Sequence, residues 1–77
     1  MAKSRKGLAN DYRLLDMISK ELLEHERRIM VIGKNVARKK IRTDLEDGMI
    51  ENLDIVLEHM DNARKEIERA KKKLRMI

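Results

Sequence analysis

Apolar residues in the second half of the chain recur at alternating spacings of four and three positions. The run consists of Met49, Leu53, Val56, Met60, Ala63, Ile67, Ala70, Leu74 and Ile77. This is the heptad pattern of a helix that packs against another helix with a left-handed crossing. We therefore predict a second helix over residues 49–77, in which Ile50 and Leu57 widen the apolar stripe.

The first half of the chain has a related but less regular pattern. One row of apolar residues repeats every seventh position and comprises Leu8, Leu15, Leu22, Ile29 and Val36. A second row lies three places later and contains Ile18, His25 and Ile32. We predict a first helix over residues 8–42. Gly33 is a candidate interruption of this helix, although apolar residues at heptad spacing continue beyond it.

The connection between the two helices is predicted to be a turn over residues 43–48. Thr43 and Glu46 have the Ser/Thr-x-x-Glu spacing of a capping box, in which each side chain accepts a hydrogen bond from the backbone amide of the other. Gly48 is a second candidate break. Residues 1–7 (MAKSRKG) precede the first helix, and we expect them to form a basic, flexible arm.

Charge is distributed in blocks that predict how the helices are oriented. Residues 34–43 carry a formal charge of +5, residues 44–62 carry −7, and residues 63–77 carry +5. Folding back at the turn places blocks of opposite sign side by side, whereas parallel copies of the second helix would juxtapose like charges. We therefore predict a single all-α domain, residues 1–77, folded as an antiparallel helical hairpin.

A two-helix hairpin has no third layer to cover its remaining apolar surface. Two hairpins packed face to face would form a four-helix bundle with coiled-coil-like packing, so we predict a homodimer. The predicted oligomer interface consists of apolar residues outside the main rows: Leu14, Met17, Leu23, Met30, Ile50 and Leu57. The alternatives are a three-helix arrangement broken near Gly33, another oligomer, or a helix that depends on a partner.

The composition narrows the chemistry that the chain can perform. Of its 77 residues, 43% are charged and 42% are hydrophobic, with 19 Lys+Arg against 14 Asp+Glu. The absence of cysteine excludes disulfides, thiolate catalysis and sulfur-ligated metals. No apolar run approaches the roughly 18 residues of a membrane span, and the first residues lack the apolar stretch of a secretory signal. We expect a cytoplasmic protein.

Neither a catalytic site nor a metal site is predicted. The two histidines, His25 and His59, lack the spacing of a zinc site. The chain also lacks a zinc-protease motif, a phosphate-binding glycine loop and a nucleophile elbow. We therefore expect a protein that is not an enzyme, with no cofactor and no small-molecule substrate.

A set of basic residues on the predicted helices points to one alternative, an anion-binding helical enzyme. Helix-bundle mutases such as chorismate mutase bind dianionic substrates with arginine and lysine side chains between intertwined helices. The chain resembles them in a set of basic residues: Arg27, Arg28, Lys39 and Arg42. It is short for that fold and has no third helix to complete a pocket, so an anion-binding enzyme is the least favoured hypothesis.

Basic residues also gather at the tip of the predicted hairpin where the chain ends meet. The residues predicted to contact nucleic-acid phosphates are Lys3, Arg5, Lys6, Lys71, Lys72, Lys73 and Arg75. Such a patch binds phosphates by releasing counterions. Tyr12 is the one aromatic residue, so stacking on single-stranded bases is not supported.

Two main hypotheses for function follow from these patterns. The first is a non-catalytic oligomeric interaction or regulatory module that acts through protein–protein contacts, as the surplus apolar surface indicates. The second is a small regulator that binds the nucleic-acid backbone through its basic helix ends.

Overall fold

The computed structural model describes residues 5–77, with side chains described from residue 7 onward. Two α-helices of 33 residues each, α1 (Arg5–Ala37) and α2 (Asp44–Met76), make up nearly all of this part of the chain. They pack against each other as an antiparallel hairpin whose Cα trace measures 58 Å by 15 Å by 15 Å. The predicted all-α hairpin is confirmed.

The helix boundaries differ from the predicted ones. α1 ends at Ala37 rather than at residue 42, and α2 begins at Asp44 rather than at residue 49, so the turn spans 38–43 instead of 43–48. Gly33 does not interrupt α1. Helix α1 already includes residues 5–7 of the predicted flexible arm, and residues 1–4 of that arm lie outside the described residues.

The capping box fixes the start of α2. Thr43 has an extended backbone (φ −77°, ψ 162°), and its Oγ1 accepts a hydrogen bond from the Glu46 amide at 3.1 Å. The Glu46 carboxylate accepts one from the Thr43 amide, also at 3.1 Å. This predicted motif is confirmed, and it satisfies backbone donors that a helix leaves unpaired at its start.

Arg42 accounts for the early end of α1. Its guanidinium donates hydrogen bonds to the carbonyl oxygens of Ala37 and Lys39, at 2.9 and 3.3 Å, and to Oδ1 of Asp47 at 2.7 Å. The last carbonyl groups of a helix lack intrahelical donors, and a cation near them also suits the helix dipole. A side chain from the turn therefore stabilises the end of α1, which hydrophobic spacing alone does not reveal.

The seam between the helices agrees with the prediction in one row of α1 and differs in the other. The row that begins at Leu8 and repeats every seventh residue to Val36 is half-buried. The predicted second row of Ile18, His25 and Ile32 is exposed. Its place in the seam is taken by Tyr12, Ser19, Glu26 and Gly33.

Helix α2 differs from the prediction in the same way. Its half-buried predicted positions are Met49, Leu53, Met60, Ile67 and Leu74. The positions between them in the seam are Ile50, Leu57, Arg64 and Lys71, whereas the predicted Val56, Ala63 and Ala70 are exposed. The inward face of α2 is therefore turned by about 50°, half of the 100° that separates successive residues of an α-helix.

Charge pairing across the seam accounts for this rotation. Glu26 accepts hydrogen bonds from Arg64, and Asp16 accepts one from Lys71 at 2.8 Å. Turning α2 to bury Val56 would separate these partners and leave Glu26 facing apolar side chains without compensation. An unpaired charge in such a place costs more than the partial exposure of one apolar side chain.

This seam provides little apolar core. Among the residues whose side chains are described, no apolar side chain is fully buried. The two buried side chains are charged, since Glu26 and Lys71 are each 6% exposed. The hairpin is therefore held by half-buried apolar rows and by polar contacts between them.

Candidate functional site

The middle of the seam contains an ion-pair cluster centred on Arg64. Its guanidinium donates two hydrogen bonds to the Glu26 carboxylate, and its Nη2 donates one to Oδ1 of Asp61 at 2.8 Å. The hydrogen bond with Glu26 raises the pKa of Arg64 above its ordinary value. Because all three groups satisfy one another, the cluster joins α1 to α2 and offers no free acid or base.

A second cluster lies nearer the chain ends and is centred on Lys71. Its Nζ donates hydrogen bonds to Asp16 at 2.8 Å and to Oε1 of Glu68 at 3.0 Å, and Ser19 donates to the same Glu68 oxygen at 3.2 Å. The bonds to Asp16 and then Glu68 raise the pKa of Lys71. The hydrogen bond from Lys71 is also the main cause of a lowered pKa for Asp16 and for Glu68.

Tyr12 closes this end of the seam. Its hydroxyl accepts a hydrogen bond from Arg75, whose Cζ lies 4.8 Å from the ring centroid. Lys71 Nζ lies 5.1 Å from the same centroid. Both distances fall within the range of cation–π contacts, so the aromatic ring holds two cations against the hairpin.

These contacts divide the residues predicted to bind nucleic acid. Lys71 is buried among carboxylates, and Arg75 is held on Tyr12. Lys72 and Lys73 are exposed. Lys3 lies outside the described residues, as do the side chains of Arg5 and Lys6, which belong to the first turn of α1. Arg75 is also exposed, so within the predicted C-terminal group Lys72 and Lys73 are the exposed cations that these contacts do not engage.

One groove brings together three of the six predicted interface residues, Met30, Ile50 and Leu57, and the other three do not line it. Ile50 and Leu57 are half-buried in the seam between the helices. Leu14, Met17 and Met30 are exposed, whereas Leu23 is half-buried. Leu14 borders a groove together with Ala70 and Ile77. Leu23 borders a groove whose α2 wall is charged, whereas Met30 borders one whose α2 wall is mainly apolar.

One long side of the hairpin is charged over the half nearer the chain ends. Grooves on this side bring residues of α1 such as Asp16 and Leu23 beside residues of α2 such as Arg64 and Glu68. Further along the same side, towards the turn, a groove is lined mainly by apolar residues such as Met30 and Leu57, with Asp54 beside them. We call this side the charged flank, comprising Asp16, Leu23, Met30, Asp54, Asp61, Glu68 and Arg75.

The opposite long side is mostly apolar, and we call it the apolar flank. It comprises Leu14, Ile18, His25, Ile32, Met49, Val56, Ala63, Ala70 and Ile77. The hydrogen bond from Ser19 to Glu68 and the approach of Leu53 to Gly33 define the register of the two helices. In this register Ile18 is level with Ala70, His25 with Ala63, and Ile32 with Val56. At the chain-end tip, this flank has a groove of about 500 Å³ lined mainly by Leu14, Leu15, Ala70, Leu74 and Ile77.

The apolar flank was missed because its residues are the rows that the heptad pattern assigns to the seam. A signal for the true seam is nevertheless present in the sequence. Glu26 lies in heptad register with Ser19 and Tyr12 on α1, and Arg64 lies in register with Lys71 on α2. Complementary charges at equivalent positions of two antiparallel helices indicate a paired polar row.

Among the described residues, the side chains that could bind a metal are not gathered at one place, and three of the mutase-like basic residues lie in separate ion pairs. No group of three or more His, Cys, Asp or Glu side chains in this part of the chain is placed to hold a metal ion. Of the mutase-like basic set, Arg28 pairs with Glu24 at 3.5 Å, Lys39 with Glu46 at 2.6 Å and Arg42 with Asp47. Those three cations are therefore spread over separate pairs.

Across the described residues, neither helix combines the length and the apolar character that crossing a membrane requires. Comparison with protein-family models, with curated proteins and with solved structures finds no match to this chain.

Proposed function

We propose that the protein is a non-catalytic oligomeric interaction module that acts through helix–helix contacts on its apolar flank. The observation that carries this proposal is the exposure of large apolar side chains in register along one side of the hairpin. Ile18, Ile32 and Val56 are 46%, 49% and 41% exposed. A mostly apolar stripe of this kind is typical of a surface that binds another protein.

The surface area of the hairpin supports association. Its accessible surface is 6619 Å², whereas a compact monomer of its mass, 9.1 kDa, exposes about 4,900 Å². A dimer that covered half of this excess on each chain would bury about 1,700 Å² in total, which is the size of a standard stable interface. The hairpin as a whole therefore exposes enough surface for an interface of standard size.

The test compares two neighbouring residues on different sides of α1. Ile32→Glu places a charge on the apolar flank, and Val31→Glu places the same charge on the outer face, where Val31 is 56% exposed. We expect wild-type chain and Val31→Glu to sediment above the mass of one chain at micromolar concentration. Ile32→Glu should shift towards one chain, because association would bury its carboxylate.

Circular dichroism of each variant provides the control for folding. A wild-type mass of one chain across the micromolar range, with full helicity, would contradict the proposal. Equal masses for wild type and Ile32→Glu would show that association uses another surface.

A second candidate function is binding to the nucleic-acid backbone. The observation that favours it is the exposure of Lys72 and Lys73 beside the chain-end tip. Affinity for duplex DNA or an RNA stem-loop should fall steeply between low and physiological salt, and the double variant Lys72→Ala/Lys73→Ala should flatten that slope. Lys34→Ala/Lys40→Ala, near the opposite tip, is the matched control. Absence of binding at low salt would remove this candidate.

A further inference from the structure

We propose that the partner of the apolar flank is a second copy of this chain, inverted end for end. The two-fold axis would cross the flank at His25 and Ala63, so that α1 lies against α1 of the second copy and α2 against α2. This inference rests on the proposed oligomeric function and specifies its partner and geometry.

The apolar rows are symmetric about the proposed axis. On α1, Ile18 and Ile32 lie seven residues on either side of His25. Inversion therefore places Ile18 of one chain against Ile32 of the second copy. Because both side chains are about half exposed in the hairpin, each would cover the other.

The same symmetry holds on α2. Val56 and Ala70 lie seven residues on either side of Ala63, and Met49 and Ile77 lie fourteen. Inversion places Val56 against Ala70 of the second copy, so that a larger side chain meets a small one. Alternation of large and small side chains lets facing helices interdigitate.

Charges beside the flank distinguish this orientation from its alternative. On one side of the axis stand the exposed acidic residues Glu21 and Glu66, and on the other stand Arg28 and His59. Inversion brings Glu21 against Arg28 of the second copy, and Glu66 against His59 of the second copy. Arg28 and Glu66 already form exposed ion pairs on their own helices, with Glu24 and Arg69. A contact from the second copy would extend these pairs into larger networks.

The alternative two-fold axis runs parallel to the hairpin. It would stack α1 against α2 of the second copy at the same level, so that Glu21 would face Glu66 and Arg28 would face His59. The two carboxylates Glu21 and Glu66 would then meet on one side of the centre, and this repulsion disfavours the alternative orientation. Helix dipoles do not choose between the two orientations, because neighbouring helices are antiparallel in both.

Disulfide formation at Ala63 tests the position of the axis. The chain has no cysteine, so a single introduced cysteine is unique. Ala63→Cys would lie across the axis from its own copy, within the Cα separation of about 4.4–6.8 Å that a disulfide needs. The matched control, Val56→Cys, would lie about 21 Å from its copy, since each residue advances the helix by about 1.5 Å.

On mild oxidation we expect Ala63→Cys to form about tenfold more cross-linked dimer than Val56→Cys. A mixture of Ala63→Cys with His25→Cys distinguishes the alternative orientation. In that orientation these two residues face each other, so the mixed disulfide would form instead of the Ala63 disulfide.

A distance measurement provides a readout away from the interface. Leu45 lies in the first turn of α2 and is 87% exposed. Spin labels on Leu45→Cys should lie about 50 Å apart in the inverted dimer, because the two turns lie at opposite ends. In the alternative orientation both turns lie at one end, and the labels would be about 20 Å apart.

The outcomes separate the two proposals. A dimer mass with the Ala63 disulfide and the long spin-label distance supports the inverted arrangement. A dimer mass with the short distance, or with the mixed disulfide, overturns this inference and leaves the oligomeric function in place. A mass of one chain for the folded wild type overturns both.

Discussion

At the scale of single residues, the most buried positions of the hairpin belong to charged side chains. Both lie between the helices: Glu26 pairs with Arg64 of α2, and Lys71 pairs with Asp16 of α1 and Glu68 of α2. Burial of a charge is tolerated only when such partners replace water. These residues therefore specify which faces of the helices meet, although a buried ion pair need not add stability over an apolar pair.

Glu26→Ala should destabilise the hairpin by about 1 to 2 kcal/mol, between the values typical of exposed and of buried pairs, because it leaves half-buried Arg64 with Asp61 alone. The double variant Glu26→Leu/Arg64→Leu should recover that loss, since two apolar side chains need no polar partners. The free energy of unfolding in urea, at one fixed protein concentration, checks both.

The matched control is Glu24→Ala, which removes one side of the exposed pair with Arg28 and should change stability by less than about 0.5 kcal/mol. A double variant less stable than Glu26→Ala would contradict the interpretation of the cluster as a determinant of helix pairing.

Gly33→Ala should stabilise the protein. A Cβ at this position would lie 3.9 Å from Cδ1 of Leu53, an ordinary contact distance, and alanine is favoured over glycine inside a helix by about 0.5 to 1 kcal/mol. Gly48→Ala is the control, because no atom lies within 4 Å of its added Cβ. Thermal unfolding should place Gly33→Ala at or above Gly48→Ala, and a lower melting temperature than wild type would be the opposite result.

At the scale of the helices, the described ends are fixed by side chains close to them in sequence. Thr43 and Glu46 start α2, and Arg42 completes the end of α1. Glu46 also accepts a hydrogen bond from Lys39 at 2.6 Å across the turn, and this bond is the main cause of its lowered pKa. The turn therefore contains both capping and charge pairing.

Acid should weaken the hairpin. The pKa values of Asp16, Glu46, Asp61 and Glu68 are lowered, chiefly by hydrogen bonds from Lys71, Lys39, Lys65 and Lys71 respectively. A carboxyl group with a lower pKa in the folded state stabilises that state above its unfolded pKa. This contribution is lost as the pH falls through the folded value.

We therefore expect the melting temperature to fall as the pH drops below about 4, where unfolded Asp and Glu begin to bind protons. Thermal unfolding from pH 7 to pH 2 measures this change. Asp16→Asn removes one of these groups and should flatten the dependence. A melting temperature that stays constant from pH 5 to pH 2 would contradict the role of these pairs.

The sequence predicted the two helices, the antiparallel pairing and the capping box because each depends on local spacing or on blocks of charge. It placed the wrong second row in the seam because Val56 and Ala63 are more hydrophobic than Arg64 and Lys71. Hydrophobic spacing does not include the free energy that Glu26 gains when Arg64 faces it. The predicted end of α1 was also wrong. Residues 38–42 include good helix formers, so the sequence pattern extends the helix through them. The observed end at Ala37 depends on the hydrogen bond that Arg42 donates back to the Ala37 carbonyl.

At the scale of the whole molecule, the hairpin is a thin rod with different sides. On the charged flank, Asp16, Asp61 and Glu68 form ion pairs within the chain, whereas the apolar flank has its large side chains half exposed. Because the charged side chains of the seam pair within one chain, the apolar rows are the surface that remains for the proposed association. The division between folding contacts and proposed association contacts thus follows from which residues carry charge.

The scarcity of fully buried apolar side chains has a consequence for how long the protein survives. If a second copy buries the exposed apolar side chains, the same contacts stabilise both the fold and the assembly. The melting temperature should then rise with protein concentration. A tenfold dilution series followed by calorimetry measures this dependence, and a constant melting temperature would exclude the coupling. Chains at low abundance would open more often and be cleaved sooner by proteases, so that synthesis level and lifetime would rise and fall together.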